Sequence, residues 1–256
     1  MSPVPGGIAV TLYALPGIPL IDEGDDLGRL IVAACRESGI ALAEGDILVI
    51  AQKAVSKAEG RVVDLKTIVP SAAAEALAHA TGRDARLCEV YIQESSEILG
   101  TKGRMVITRH RLGFECTGAG VDRSNVAPHA EERVVLLPAD PDRSARRIRD
   151  SVRELTGQPI AVIVNDSFGR ADREGSVGIS IGFSGIRSIE ERAQQDLYGN
   201  PSRSGIALVD EVAAAASIVM GQADEAIPAV LVRGVRFTSD DTTGLQDLLV
   251  RERAGR

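Results

Sequence analysis

Three short apolar runs set the limits on how this chain folds. ILVIA (47–51), AVIV (161–164) and AVLV (229–232) are dominated by Val, Ile and Leu, and turn residues bound them. Runs of this length without polar alternation read as strands covered on both faces. IAVTLYAL (8–15) reads as a further strand, and RMVITRHRLGFECTGAG (104–120) and ERVVLLP (132–138) are β-like. Helices fall between them. Leu27, Leu30, Ile31, Ala34 and Cys35 form one apolar stripe behind the capping candidates Asp25 and Asp26. Ser71 opens an Ala-rich helix ending near Gly82, and a second is predicted from Asp84 to Ile98. Pro141 and Asp142 start a third, with Ala145, Ile148, Val152 and Leu155 on one face and Gly157 as its stop. A last helix spans about Ala207 to Val219. Strands and helices mix without strict alternation, which favours an α+β fold, arranged as two lobes, over a doubly wound sheet.

The chain has 256 residues, 44% hydrophobic and 25% charged, but only 3% aromatic and without Trp. Its core must therefore rest on Val, Ile, Leu and Ala. A net charge of −7 argues against nucleic-acid binding, and no run of about 18 apolar residues suggests a membrane span. Cys35, Cys88 and Cys116 lack metal-ligand spacing and read as reduced thiols of a cytoplasmic protein. His79, His110 and His129 stand beside no nucleophile motif and read as surface or structural residues.

The common nucleotide fingerprints are missing. Four clusters carry possible chemistry. AQKAVSKAEGR (51–61) places Gln52, Lys53, Ser56 and Lys57 just past a buried strand, either to face a phosphate or as a solvated turn. GAGVDRSNV (118–126) brings Asp122 and Asn125 together after two glycines, as ion ligands or as an Asx turn. NDSFGRADREG (165–175) puts Asp166 and Ser167 where a strand is expected to end. Carboxylate and hydroxyl together suit Mg²⁺ or Mn²⁺, and Arg170 and Arg173 suit a phosphate or carboxylate; a solvated turn is the alternative. The following VGISIGFSG reads as a glycine-rich strand, a pattern that marks close backbone approach. MGQADEAIP (220–228) is either a ligand loop or an ordinary acidic one.

In order along the chain, IPLIDEGDDL, VSKAEGR, GAGVDRSN, VNDSFGRADREG with IGFSGI, DLYG, and DEVAAAASIVMG with IPAVLVRG resemble the coenzyme F-420:L-glutamate ligase family. The resemblance covers about residues 8–235 and is to the stand-alone ligase, without the nitroreductase-like half of longer actinobacterial relatives. It implies a GTP-dependent γ-glutamyl ligase. The lactyl carboxylate of the deazaflavin coenzyme F-420-0 is phosphorylated to an acyl phosphate, which L-glutamate attacks, with release of GDP and phosphate. It implies Mg²⁺ or Mn²⁺, with K⁺ as an additional ion, and an intertwined homodimer. On this resemblance Asp122, Asp166, Ser167 and Gln222 are metal ligands. Nucleotide contacts fall on Ile18, Pro19, Leu20 and Ile21; on Gln52, Lys53 and Lys57; on Asn125; and on Met220, Gly221, Gln222, Ala223, Asp224, Glu225, Ala226 and Ile227. Asp166, Arg170 and Arg173 are the catalytic candidates, the arginines for acceptor or phosphate. The chain is expected to form one ligase module, with about 1–85 and 205–256 as one lobe and 86–204 as an inserted second.

This chain departs from the family pattern at Ala171-Asp172, where many members carry Pro-Trp, and at Ser176 and Gly178, where many carry Gln and Asp. These changes lie toward the acceptor side. They leave open a ligase for a different carboxylate or amino acid. A nucleotide-binding protein without turnover and a metal-dependent phosphohydrolase are further alternatives.

Overall fold

The computed structural model describes residues 9–126, 132–170 and 173–250; the side chains of Arg170 and of 192–194 lie outside the description, as does His129. In chain order the elements are β1 (Thr11–Ala14), α1 (Leu27–Glu37), β2 (Ile47–Ala51), α2 (Gln52–Ala58), β3 (Val62–Asp64), α3 (Ala72–Thr81), α4 (Ala85–Glu94), β4 (Ser95–Lys102), β5 (Met105–His110), β6 (Glu115–Thr117), β7 (Arg133–Val135), α5 (Pro141–Thr156), β8 (Ala161–Arg170), β9 (Arg173–Ser184), β10 (Glu190–Gln195), β11 (Pro201–Ile206), α6 (Leu208–Met220) and β12 (Ala229–Arg233). The mixture of helices with several separate sheets agrees with the expected α+β class.

The main sheet has the order β1-β12-β2-β8-β9. Among the described residues only β2 and β8 run parallel, with Ile47 opposite Ala161 and Ala51 opposite Asn165. Alternation along each strand divides two cores. Leu48, Ile50, Val162, Val164 and Leu231 face α1, α2 and α5. Ile47, Val49, Ile163, Val230 and Val232 face α6. A third cluster, with Leu65, Leu87, Tyr91, Val106 and Val134, lies under α4 beside the β4-β5-β6 sheet and the β3-β7 pair. The main sheet takes β8 and β9 from within 86–204 and its other strands from outside it, so sheet membership cuts across the expected lobe boundary.

Local signals explain the helix limits. Asp26 caps α1 by accepting from the Arg29 amide, whereas Asp25 accepts from the Asp22 amide in the preceding turn. Ser71 caps α3, Asp84 caps α4 and Asp140 caps α5. α4 stops at Glu94, four residues before the expected end. Ser95 donates to the Tyr91 carbonyl, and the following residues pair with β5 instead. Along VGISIGFSG the close approach is made by helices. A Cβ at Gly182 would lie 2.5 Å from Pro141, and one at Gly178 would strike Ser217 of α6. Among the described residues no helix is long and apolar enough to cross a membrane.

Two buried polar groups tie these layers together. The Asp46 carboxylate accepts from Arg233 at 2.7 and 2.8 Å and from the Ala43 amide at 2.8 Å, fastening β12 to the entrance of β2. Glu94 accepts from Arg61 and Arg111, each at 2.7 Å. Beside it His110 stacks on Phe114, and its Nδ1 accepts from the Leu112 amide. Burial pushes the His110 pKa down to about 4, with Arg111 and Arg61 adding to the effect and Glu94 opposing it.

Arg233→Met leaves the buried Asp46 charge without its partner and is expected to cost about 3 kcal/mol, read by urea denaturation. A loss below about 0.5 kcal/mol would contradict this account. Between pH 6.5 and about 4 only the unfolded chain protonates His110. Its contribution is therefore lost as pH falls through that window, by about 3 kcal/mol in total. His110→Phe is expected to flatten the acid limb of the stability profile there, and an unchanged slope would refute it.

Candidate active site

The β2–β8 parallel pairing ends with Ala51 opposite Asn165, and polar residues follow on both chains. Past β2 the chain turns directly into α2, so Gln52 and Lys53 occupy a helix N-terminus rather than a loop. Gln52 is buried, and its Oε1 accepts from the equally buried Ser56. β8 does not end at Asp166. It continues to Arg170 and pairs with β9 as a long hairpin, with Asp166 opposite Ile179 and Ser167 opposite Gly178. A register shift between Val164 and Asn165 falls just before the carboxylate.

Asp122 arrives from another part of the chain. Gly118, Ala119 and Gly120 all have positive φ. The glycines also pack against Tyr91 and Leu137, where a Cβ would approach within 3.1 and 2.7 Å. This left-handed turn leads to Asp122, whose backbone bridges Val135 through hydrogen bonds of 2.9 and 2.8 Å. Asp122, Asp166 and Ser167 line one cavity of about 160 Å³ together with Cys116, Thr117 and Phe168.

Lys53 Nζ lies 2.6 Å from Asp122 Oδ2 and donates to Ser124 Oγ at 2.8 Å. Ser124 donates to Asp122 Oδ1 from its amide and its hydroxyl, at 2.8 and 2.9 Å. Burial alone would raise the Asp122 pKa, but the Lys53 and Ser124 hydrogen bonds outweigh it and hold it low. Asp166 behaves oppositely. Enclosure of its carboxyl pushes the pKa up to about 7 and the Asp122 charge adds to this, against the Ser167 amide, Lys53 and Gln52. Burial also pushes Cys116 up to about 11, so it faces the cavity as a neutral thiol.

Two carboxylates and a hydroxyl are hard oxygen donors. The raised proton affinity of Asp166 marks charge that the protein offsets incompletely, so the set fits a divalent cation. Among the described residues no three His, Cys, Asp or Glu side chains gather as a metal set, so such an ion would need further oxygens from Ser167, Gln222, ligand or water.

The other expected contacts surround this cavity unevenly. Asn125, at φ +53°, donates to the Ala223 carbonyl at 2.8 Å and ties the 118–126 turn to the loop after α6. Met220, the last residue of α6, is buried; in the loop Gln222, Ala223, Asp224, Glu225 and Ala226 are exposed, and Gly221 and Ile227 are half-buried. Glu225 accepts from the Ala223 amide. Ile21 is buried and Ile18 half-buried against the core, whereas Pro19 and Leu20 are exposed. The Gly24 amide donates to the Ala58 carbonyl and docks this first loop on the end of α2. Lys57 is half-buried, and its side chain forms no hydrogen bond or ion pair among the described residues. Burial, then Lys53, lowers its pKa. Arg173 is exposed at the far end of β9. That is roughly 10 Å along the strand from Ser167, so the structure does not bring it to the carboxylates. The Arg170 side chain and residues 171–172 lie outside the described part. Sequence reasoning missed Ser124, which bridges Lys53 to Asp122. Its place within VDRSN was the available signal.

Residues 17–234 match the family model described as F420-0:gamma-glutamyl ligase. The chain is 44% identical over 229 residues to the coenzyme F420:L-glutamate ligase of Methanothermobacter thermautotrophicus, covering 89% of this chain and 90% of that protein. To the enzyme of the same name from Methanopyrus kandleri it is 46% identical, covering 84% and 83%. To that from Methanocaldococcus jannaschii it is 42% identical, covering 80% and 82%. A match of this length, with a relative this similar across most of both chains, means that the chain belongs to the F420-0:gamma-glutamyl ligase family.

Proposed function

We propose that this ligase joins L-glutamate to the lactyl carboxylate of coenzyme F420-0, with GTP as phosphoryl donor. The observation that carries the reading is the convergence of Lys53, Asp122, Asp166 and Ser167 beside the point where the β2–β8 pairing stops. A carboxylate does not react with an amine at neutral pH until one oxygen becomes a leaving group. Transfer of the γ-phosphoryl group to that oxygen supplies one. The glutamate amine then attacks the carbonyl carbon, the bond to phosphate breaks, and phosphate leaves as the nitrogen loses its proton.

In this reading Asp122, Asp166 and Ser167 hold the divalent cation, with Gln222 completing the set from the loop after α6. When bound, Mg²⁺ or Mn²⁺ supplies charge compensation for the phosphates. Lys53 and Lys57 hold the phosphate chain, and Asn125 with the 18–21 and 220–227 segments holds the nucleoside. Gln52, buried and held by Ser56, keeps the floor of the site in place. Binding three reactants in one orientation supplies much of the rate. The working form we propose is a homodimer in the cytoplasm.

Purified protein with Mg²⁺ or Mn²⁺, GTP, glutamate and coenzyme F420-0 is expected to give products heavier by one or more glutamyl units in a mass spectrum. Asp166→Asn should lower the rate by at least about 100-fold. No mass increase beside an active control ligase would remove the proposed acceptor and direct the assay to other carboxylates and amines. GTP hydrolysis without any amine requirement would favour the phosphohydrolase alternative. Sedimentation equilibrium should return twice the 27.0 kDa chain mass, and a single-chain mass would refute the dimer.

A further inference from the structure

We propose that Lys53 is an internal competitor for the cation position at Asp122, so that the protein must lift its own ammonium away before it holds a divalent ion there. This rests on the cation-dependent ligase reading above and deepens it by naming how that site is regulated.

Both oxygens of Asp122 are already engaged. Oδ2 is 2.6 Å from Lys53 Nζ, and Oδ1 accepts from the amide and the hydroxyl of Ser124. Ser124 also accepts from Lys53, which makes a closed triangle of the three side chains. The Lys53 and Asp122 side chains are only 22% and 33% exposed, so water screens the pair weakly. A divalent ion at Oδ2 would meet a positive charge at hydrogen-bonding distance. The two cations therefore exclude each other unless Lys53 moves.

The fold leaves Lys53 an exit but makes it conditional. Its backbone is fixed, because Gln52, Ala54 and Val55 around it are buried. Its four-carbon stem is free to turn toward Lys57, one helical turn away. Lys57 is already half-buried and already disfavoured by the Lys53 charge. Two ammonium groups side by side are stabilised by an anion between them. A phosphate chain is such an anion, so its arrival draws Lys53 off Asp122 as the carboxylate becomes open to metal. Binding of the two ligands is then mutually promoting.

The test is Mn²⁺ binding to the full chain without nucleotide, followed by electron paramagnetic resonance. Lys53→Met is expected to bind Mn²⁺ about tenfold more tightly than the unaltered protein. Lys53→Arg, which keeps the charge, should bind as the unaltered protein does. Lys57→Met removes a charge from the same helix without touching Asp122, and should change the affinity less than about threefold. Should Lys53→Met fail to fold by circular dichroism, Ser124→Ala removes the second anchor of Lys53 and should tighten Mn²⁺ binding about threefold. Equal or weaker binding by Lys53→Met overturns the inference, as does an equal gain in Lys57→Met, which would point to the general field of the helix. Unchanged Mn²⁺ affinity in an enzyme that still transfers glutamate removes only the competition. No Mn²⁺ binding in any form removes the metal reading with it.

Discussion

The parallel pairing of Ile47–Ala51 with Ala161–Asn165 is the contact on which the site depends. Among the described residues it is the single parallel step in an otherwise antiparallel sheet. The parallel pairing stops at one edge, so the residues just past it on each chain lie side by side. Here that brings Gln52-Lys53 against Asp166-Ser167. Helices cover both faces of these strands, and the dry cores beneath Leu48, Ile50, Val162 and Val164 hold the edge rigid. Polar groups set on such a base lose little further freedom when they bind a ligand.

The partly enclosed position gives the two carboxylates different characters. Asp122 receives an ammonium and two hydrogen bonds, and stays ionised. Asp166, four strand positions past the core residue Val162, has only its neighbour's amide and more distant help. Two similar side chains a short distance apart thus differ in their hold on a proton. The asymmetry comes from the enclosure of Asp166 on its strand and from the partners that reach Asp122.

Much of this architecture was legible in the sequence. The central strands β2, β8 and β12 followed from unbroken apolar runs, and helix limits from Ser71, Gly82, Pro141 and Gly157, each of which acts through local geometry. Features set by distant partners were harder to see. Nothing within 84–98 announces that Ser95 leaves the helix, because the reason is a strand more than ten residues away. The glycines at 178 and 182 were legible as close-approach positions, but not as seats for α6 and α5. Asp122, Asp166 and Lys53 were each recognisable as chemistry-bearing residues. The engagement of Lys53 with Asp122 through Ser124 needed the left-handed turn at 118–120, which a string of letters does not display.

Those two glycines have a mechanical consequence. The β8–β9 hairpin is gripped at its inner half, where α5 and α6 rest directly on the β9 backbone, while its outer half carries exposed residues such as Gly169, Arg173 and Ser176. It is a cantilever, clamped at one end and projecting at the other. A load applied near the tip bends such a beam at the edge of its clamp. That edge falls where Gly178 pairs with Ser167, one residue from Asp166. Whatever seats against the projecting half therefore transmits its force to the carboxylate, through a lever that the small side chains at 178 and 182 hold in its mount.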